Sequence, residues 1–282
     1  MTSPIRAGAS DPEADPSPDP SPDPGVAPAG EPAPDPAPDG LVADGVAVDG
    51  THGPLLAATS LHVHPGEVVL VAGTPGSGHT ALALCLAGRM RPSRGTVTLD
   101  GDDRARGLRA AVAVVDTPGV SEPDPVLPLR TVVGEELAMA GRRALPGAVT
   151  EWLSARGAQR WAGTRFEEVP APVRLGLLVE LAASRPGVRA MVLTAPDRHG
   201  GTPTTWWMAA AGRAPAGLAV VVTCTETSAT LLGTPAVPLG GGRSPVPPAP
   251  PGRHARPDSP TTPMPAVTDP PATGSDDREA GR

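Results

Sequence analysis

The chain has 282 residues, of which 40 are proline, and a formal net charge of −7 at pH 7. Residues 1–40 carry eight carboxylates against a single arginine, so this segment alone accounts for the net charge. The remaining residues are near neutral, and the charge gives no reason to expect a nucleic-acid partner. All 23 basic residues are Arg, and the sequence contains no Lys, Asn or Tyr.

Both ends of the chain have the composition of disordered segments. Residues 1–40 hold 12 prolines, in runs such as DPSPDPSPDP, and residues 244–282 hold another 11. Segments of this kind cannot bury enough apolar surface to offset their chain entropy, so both are predicted to be disordered. One folded domain is therefore predicted over residues 41–243.

Nothing in the sequence predicts export or a membrane span. The start, MTSPIRAGAS, lacks the apolar core of a signal peptide. No run approaches the ~18–20 apolar residues of a spanning helix. Cys85 and Cys224 lie in apolar runs typical of buried thiols in a reduced compartment. These features predict a cytoplasmic protein.

The first predicted elements are two alternating segments, residues 41–48 and 55–63, which are typical of a half-exposed antiparallel sheet. The β-branched run VVLVA (68–72) predicts a strand that is covered on both faces. It leads directly into the glycine-rich stretch GTPGSGHT (73–80) and a helix over residues 80–89. Strand, glycine loop and helix follow in the order of a phosphate-binding loop.

Further strands are predicted at residues 95–101, 110–115, 190–193 and 218–222, with a helix at 174–184. Buried strands separated by helical segments predict an α/β fold with a mainly parallel sheet. In such sheets ligands bind beyond the carboxyl ends of the strands, which is where the glycine loop is expected.

The glycine loop matches the pattern G-x-x-x-x-G-K-[ST] at Gly73, Gly78 and Thr80, but His79 replaces the lysine. Backbone N–H groups of such a loop face an anion, and Thr80 would offer a hydroxyl to Mg²⁺. Two interpretations stay open: a weak phosphate or nucleotide site, and a loop kept only as a tight connection. The candidate nucleotide-binding residues are Gly73, Thr74, Pro75, Gly76, Ser77, Gly78, His79 and Thr80.

Histidine is a poor substitute for the lysine at position 79. It is shorter, and its unperturbed pKa is about 6.5, so it is not permanently charged. The positive end of the following helix would disfavour its protonation, whereas a bound triphosphate would favour it. Because the chain has no lysine, none can be supplied from elsewhere in it.

From about Leu41 to Thr225 the sequence resembles the ATP-binding cassette of ABC transporters. Residues 61–101 carry most of the resemblance, with a PGE turn, the strand and glycine loop, a helix ending in L-x-G, and P-x-x-G-x-V-x-x-D-G. The resemblance implies a P-loop NTPase-like cassette with a mainly parallel sheet, an N-terminal antiparallel β portion and a reduced helical subdomain. It also implies ATP and Mg²⁺ as cofactors, and a membrane permease subunit or a second cassette as partner.

Several positions where the family carries ATP chemistry hold other residues. Asp116 and Thr117 stand where a loop glutamine is expected, and EEVPAPV (167–173) stands where the LSGGQ signature is expected. Aligned on the following proline, Thr194 and Ala195 occupy the places of the Walker B aspartate and glutamate. Alanine can neither polarise water nor accept a proton, so no catalytic residue is predicted.

Two other family positions are also changed. Cys224 stands where a histidine contacts the γ-phosphate, and no aromatic residue matches the one that stacks on adenine. His52, in a Gly-rich turn, is interpreted as a surface residue. The resemblance therefore predicts a nucleotide-binding subunit of a membrane transport or export system, weak in ATP binding and impaired in hydrolysis. Such a subunit would be peripheral to the membrane at most, held there by a permease.

Two alternatives remain. VVDTPG (114–119) copies the D-x-x-G element of P-loop GTPases, although a chain without Asn or Lys cannot form the guanine-reading N-K-x-D motif. The other alternative is a non-catalytic scaffold or regulatory interaction protein built on the cassette fold. His62 and His64 share one face of a strand, but no further ligand completes a metal site, and they are interpreted as exposed strand residues. Trp152, Trp161, Trp206 and Trp207 are predicted to pack on the core.

Overall fold

The structure is a computed structural model and describes residues 40–240. The disorder predicted for residues 1–40 and 244–282 falls outside this range, apart from Gly40. The strands are β1 (Leu41–Gly50), β2 (Gly53–Val63), β3 (Val68–Ala72), β4 (Arg94–Leu99), β5 (Val112–Val115), β6 (Ala190–Thr194), β7 (Ala219–Cys224) and β8 (Ala236–Pro238).

Seven α-helices connect or flank these strands within residues 40–240. Short 3-10 helices also occur, among them Phe166–Glu168 before α5 and Pro196–His199 after β6. The α-helices are α1 (His79–Leu86), α2 (Ala105–Ala111), α3 (Leu129–Met139), α4 (Pro146–Ser154), α5 (Ala171–Ala183), α6 (Pro203–Ala211) and α7 (Glu226–Leu232).

The strands form two sheets. An antiparallel sheet has the order β2-β1-β4, and a parallel sheet has the order β5-β6-β7-β3-β8. Every strand pair of the second sheet is parallel. The predicted α/β class, with a parallel sheet and an N-terminal antiparallel portion, is confirmed.

The parallel sheet is covered on both faces, and its side chains alternate between two cores. Leu193 and Val222 face a core formed with the helices from α3 to α6. Their neighbours Val192 and Val221 face a second core formed with the antiparallel sheet and α1. Because consecutive residues of a strand point to opposite faces, a strand between two cores must be apolar throughout. This explains the uninterrupted apolar runs in the sequence.

The main differences from the predicted elements concern helices. Ala110 and Ala111 end α2, so β5 begins only at Val112. The helices α2, α3, α4, α6 and α7 were not predicted. In α3, LRTVVGEELAM, Gly and β-branched residues lower the helix propensity, and the helix is stabilised by burying Leu129, Val132, Val133 and Leu137 against the core.

The predicted packing of cysteine and tryptophan is confirmed. Cys85 and Cys224 are buried as free thiols, and burial raises the pKa of Cys85 to about 11 and that of Cys224 to about 12. Trp152 and Trp206 lie in the helical core, and Trp161 and Trp207 pack against it. Among the helices of residues 40–240, none combines the length and the apolar character that a membrane span requires.

Candidate phosphate-binding site

The predicted glycine loop joins the carboxyl end of β3 to the start of α1. Gly76 and Gly78 have φ angles of +85° and +114°, in a region that residues with a Cβ rarely adopt. A Cβ on Gly78 would lie 2.5 Å from the carbonyl oxygen of Leu55, and a Cβ on Gly73 would lie 2.6 Å from Ser77 Oγ. The backbone path therefore requires glycine at positions 76 and 78, and the side chains of Ser77 and Leu239 leave no room for a Cβ at position 73.

The carbonyl oxygen of Cys224, at the end of β7, anchors both ends of the loop. Gly73 N donates a hydrogen bond to it at 3.0 Å, and His79 Nε2 donates a second one at 3.0 Å. The His79 side chain is thus directed to the neighbouring strand end. A lysine has three donors and a longer stem, so it could not take the place of His79 in this contact without a change of geometry.

Burial lowers the pKa of His79 from its ordinary value of 6.5, against opposing effects of the hydrogen bond to Cys224 and the charge of Asp197. The sequence had suggested the helix N-terminus as the cause of such a change, but the main cause is burial. The imidazole is therefore neutral at pH 7. The loop lacks the permanent positive charge that the family lysine provides.

A cavity of about 450 Å³ adjoins the loop. Its lining includes Gly78, His79, Thr80 and Ala81 at the start of α1, where the first amides of a helix have no intrahelical partner, and Thr80 carries a hydroxyl. These groups fit a phosphate. None of the lining residues is a carboxylate, so the only side chain here that suits Mg²⁺ is Thr80. The cavity is lined by Leu55, Pro75, Gly76, Gly78, His79, Thr80, Ala81, Met90 and Ala195.

Thr194 and Ala195 lie at the end of β6, as their predicted Walker B positions require. Thr194 is fully buried, and its Oγ1 lies 2.8 Å from Thr117 Oγ1. Ala195 has a φ of +43°, and its amide donates to the carbonyl oxygen and the Oγ1 of Thr223, both at 3.0 Å. The end of β6 is therefore joined by threonine hydroxyls to the ends of β5 and β7. Neither Thr194 nor Ala195 has a side chain that could act as a general base.

Asp116, which follows β5, is a carboxylate at the same edge of the sheet, and it is already engaged. Its Oδ2 accepts a hydrogen bond from His199 Nε2 at 2.7 Å. Its Oδ1 lies 2.9 Å from Arg198 Nη2, an ion pair whose angle does not make a hydrogen bond. The side chain of Asp116 is only 1% exposed, so Arg198 supplies the opposite charge and His199 a hydrogen bond to a buried carboxylate.

Arg198 occupies the position of a cation in this cluster. Ligand atoms of Asp116, Glu122 and His199 lie within 4.8 Å of one another, which is close enough to hold a metal ion. The guanidinium of Arg198 also lies 3.2 Å from Glu122 Oε1, and its Nη1 donates to the carbonyl oxygen of Thr194 at 2.7 Å. A metal ion would have to displace this arginine.

Arg174, near the start of α5, completes the cluster. Its Nη2 lies 2.9 Å from His199 Nδ1. Because arginine can only donate, Nδ1 of His199 is the acceptor and Nε2 carries the hydrogen that it shares with Asp116. Arg174 Nη1 also donates to the carbonyl oxygen of Glu167 at 3.2 Å. The segment 167–173, where the LSGGQ signature was sought, is thus tied to the strand ends by arginine.

Asp197 has a structural role that the sequence did not reveal. Its Oδ2 accepts hydrogen bonds from the amide and hydroxyl of Thr225 and from the hydroxyl of Ser228, all within 2.8 Å. Burial by itself raises the pKa of Asp197, but these hydrogen bonds hold it below the ordinary value. Thr225 is the N-cap of α7, so Asp197 stabilises the start of this helix.

Three smaller predictions can now be compared with the structure. His52 is exposed, as predicted, and is not part of the cavity wall, whereas Leu55 is. His62 and His64 are half-buried, which corrects their interpretation as exposed, and their ring centroids lie 4.0 Å apart with the ring planes tilted by 46°. In the D-x-x-G element, Asp116 is bound to Arg198 and His199, so its carboxylate is not directed at the glycine loop.

The signals for these polar contacts were present but weak. Asp197, Arg198 and His199 are polar and follow the buried strand β6 after two residues, which places them at the carboxyl edge of the sheet. Which carboxylate each of them binds depends on the neighbouring strand ends, and the order of the strands is not readable from one sequence.

Comparison with known proteins agrees with the fold and the loop. The family profile described as "ABC transporter" matches residues 56–169. The cytochrome c biogenesis ATP-binding export protein CcmA of Xanthomonas axonopodis pv. citri (strain 306) is 29% identical over 149 residues, covering 48% of this chain and 70% of that protein. The phosphonates import ATP-binding protein PhnC 3 of Nostoc sp. is 44% identical over 46 residues, covering 16% and 18% of the two chains.

A solved structure supports the same fold. It is titled a nucleotide-free ATP-binding cassette from an ABC transporter, and it matches with a TM-score of 0.50 and 15% identity over 68% of this chain and 83% of that one. The family profile covers the glycine loop together with β3, β4 and β5, and the structural match agrees with the fold. Residues 56–169 are therefore similar in sequence to ABC transporters, and the described structure has the fold of an ATP-binding cassette.

Proposed function

We propose that this chain is the nucleotide-binding subunit of a membrane transport or export system, with weak nucleotide binding and impaired ATP hydrolysis. The observation that carries the proposal is the contrast between a glycine loop with its backbone path preserved and a β6 end without a carboxylate. Thr194 and Ala195 provide no general base, and the carboxylate of Asp116 is paired with Arg198 and hydrogen-bonded to His199. The proposed nucleotide-binding residues are those of 73–80.

Weak binding follows from the balance of contacts at the loop. The amides at the start of α1 and the Thr80 hydroxyl favour a phosphate, and Mg²⁺ would be held by Thr80 together with the phosphates. Against this, the neutral His79 contributes no charge to the β- and γ-phosphates. The adenine side of the cavity offers Leu55 and Met90, which supply apolar contact without an aromatic face.

Calorimetric titration of the full-length chain with Mg²⁺-ATP, beside His79→Lys and Thr80→Ala variants, tests the binding part. We expect weak binding that strengthens in His79→Lys and weakens in Thr80→Ala. An unchanged affinity in both variants would mean that the loop does not contact the nucleotide. Turnover of Mg²⁺-ATP well above that of Thr80→Ala would overturn the impaired hydrolysis.

The proposed partner is a permease subunit or a second cassette. The relatives named above include one export and one import protein, so the direction of transport is left open. If the chain instead acts as a non-catalytic scaffold, it would co-purify with its membrane partner equally well with and without nucleotide. The polar cluster of Asp116, Arg198 and His199 favours this second candidate, because it holds the strand ends together without a ligand. A preference for GTP over ATP would revive the GTPase alternative.

A further inference from the structure

Three arginines lie together at the amino-terminal edge of the parallel sheet, opposite the glycine loop. We call Arg89, Arg109 and Arg185 the arginine surface. Arg89 follows α1 and donates from Nη1 to the carbonyl oxygen of Val112, the first residue of β5, at 3.2 Å. Arg109, on α2, donates to the carbonyl oxygen of Gly88 at 2.9 Å. Arg185 lies where the chain leaves α5 on its way to β6.

The arginine surface has more positive charge than its own carboxylates neutralise. Arg185 pairs with Glu136 at 2.6 Å. Within residues 40–240, the side-chain hydrogen bonds of Arg89 and Arg109 go only to carbonyl oxygens. Burial, followed by the positive charges of Arg185 and Arg109, lowers the pKa of Arg89. A bound anion would relieve this repulsion.

The acidic N-terminal segment joins the folded body at the same edge. Gly40 N donates to Asp100 Oδ1 at 2.7 Å, and the other oxygen of Asp100 pairs with Arg189. Arg189 N donates a hydrogen bond at 2.9 Å to the carbonyl oxygen of Ala111, the last residue of α2. The chain therefore enters the described structure close to the helix that carries Arg109.

We propose that residues 1–39 bind to the arginine surface of the same chain through their carboxylates. The segment holds eight Asp and Glu against one Arg, whereas residues 241–282 hold five of each sign and offer no such complementarity. Asp39 and Asp35 lie within five residues of Gly40 in the sequence. Five residues of extended chain reach at most roughly 17 Å. The many prolines restrict the free segment, which lowers the entropy lost on binding.

A distance measurement between two spin labels on the full-length chain tests this. The labels are placed at Ala33→Cys in the acidic segment and at Ala110→Cys, an exposed position beside Arg109. Cys85 and Cys224 are buried with raised pKa values and label slowly. At low ionic strength we expect one short, narrow distance population. It should broaden toward long distances in Arg89→Gln/Arg109→Gln and at about 0.5 M salt, where charges are screened beyond a few ångströms.

Arg160→Gln/Arg165→Gln is the matched control, since it removes the same charge elsewhere. Arg160 and Arg165 lie near the start of α3, because the carbonyl oxygen of the neighbouring Thr164 accepts a hydrogen bond from Leu129 N. The arginine surface lies near the other end of α3, where Arg185 pairs with Glu136. The control should keep the narrow population. Neutralising the segment itself, with Glu31→Gln, Asp35→Asn and Asp39→Asn, should broaden it and avoids any change to the folded body.

Three results would overturn the proposal. One is a broad distribution in the chain without charge substitutions, and another is equal broadening in the Arg160→Gln/Arg165→Gln control. The third is a short distance between chains that carry one label each, because the segment would then occupy the surface of a second copy. Far-UV circular dichroism and thermal unfolding of each variant show that the fold is retained. If Arg89→Gln/Arg109→Gln fails to fold, the segment substitutions and the salt series still decide the question.

Discussion

Two parts of the carboxyl edge of the parallel sheet differ in whether backbone or side chains make their contacts. At the end of β3, the glycine loop depends on backbone conformation, with positive φ angles at Gly76 and Gly78 and an anchor at the Cys224 carbonyl oxygen. At the ends of β5 and β6, the contacts are made by side chains, with Asp116 held between Arg198 and His199.

The difference shows which part of such a site tolerates substitution. A loop made of N–H groups keeps its shape when a side chain such as lysine is replaced by histidine, because the backbone path is set by glycine and by sheet contacts. Chemistry at a strand end depends on one carboxylate, and threonine or alanine at that place cannot accept a proton. The four predictions below test this contrast, beginning with the largest expected effect.

Gly78→Ala should disrupt the glycine loop, which is the part of the edge that depends on backbone conformation. The added Cβ would lie 2.5 Å from the carbonyl oxygen of Leu55, at a φ of +114°, and neither can relax cheaply. We expect a loss of about 4 kcal/mol in the free energy of unfolding, measured by urea denaturation, and no stabilisation by Mg²⁺-ATP. Gly147→Ala in α4 is the control, since a Cβ there meets nothing within 4 Å. Equal stability of the two variants would contradict the geometry of the loop.

Arg198→Ala should break the side-chain half. It removes one partner of a carboxylate whose side chain is only 1% exposed, and we expect a loss of about 3 kcal/mol in the free energy of unfolding. The double variant Asp116→Ala/Arg198→Ala should recover part of that loss, since the unpaired charge is then gone. If the losses in free energy of unfolding of Arg198→Ala and Asp116→Ala simply add in the double variant, Arg198 does not act through Asp116.

His79→Gln should change how stability depends on pH. Because the folded state lowers the pKa of His79, the unfolded chain binds this proton more readily, and the histidine costs stability as the pH falls below about 6.5. Glutamine does not titrate and still offers a donor to the Cys224 carbonyl oxygen. Thermal unfolding between pH 8 and pH 5 should therefore show a steeper loss in the unsubstituted chain. Parallel curves would mean that His79 is exposed to solvent.

The smallest effect is expected for the two thiols. Burial raises the pKa of Cys85 to about 11 and that of Cys224 to about 12, so both are protonated at pH 8. Alkylation by iodoacetamide, followed by mass spectrometry, should be slow in the native chain and rapid in urea. Rapid native alkylation of Cys224 would indicate that the anchor between β7 and the glycine loop opens frequently.

Much of the fold and half of the site could be predicted from local patterns. VVLVA followed by GTPGSGHT predicted β3, the loop and α1, because strand burial and glycine conformation depend on neighbouring residues. The helix α3 could not be predicted, because packing of Leu129 and Val133 stabilises a segment of low helix propensity. The roles of Arg174, Arg198 and His199 also escaped prediction, because they bind a carboxylate distant in sequence.

The sequence by itself determined the fold class, the place of the glycine loop, and the absence of lysine at position 79 and of carboxylates at positions 194 and 195. These are properties of residue identity and of short-range spacing. Only the tertiary structure decided where His79 points, that Asp116 pairs with Arg198, and that Gly40 lies beside Asp100 and its partner Arg189. Each of these depends on which strand ends become neighbours, and that is settled by packing across the whole sheet.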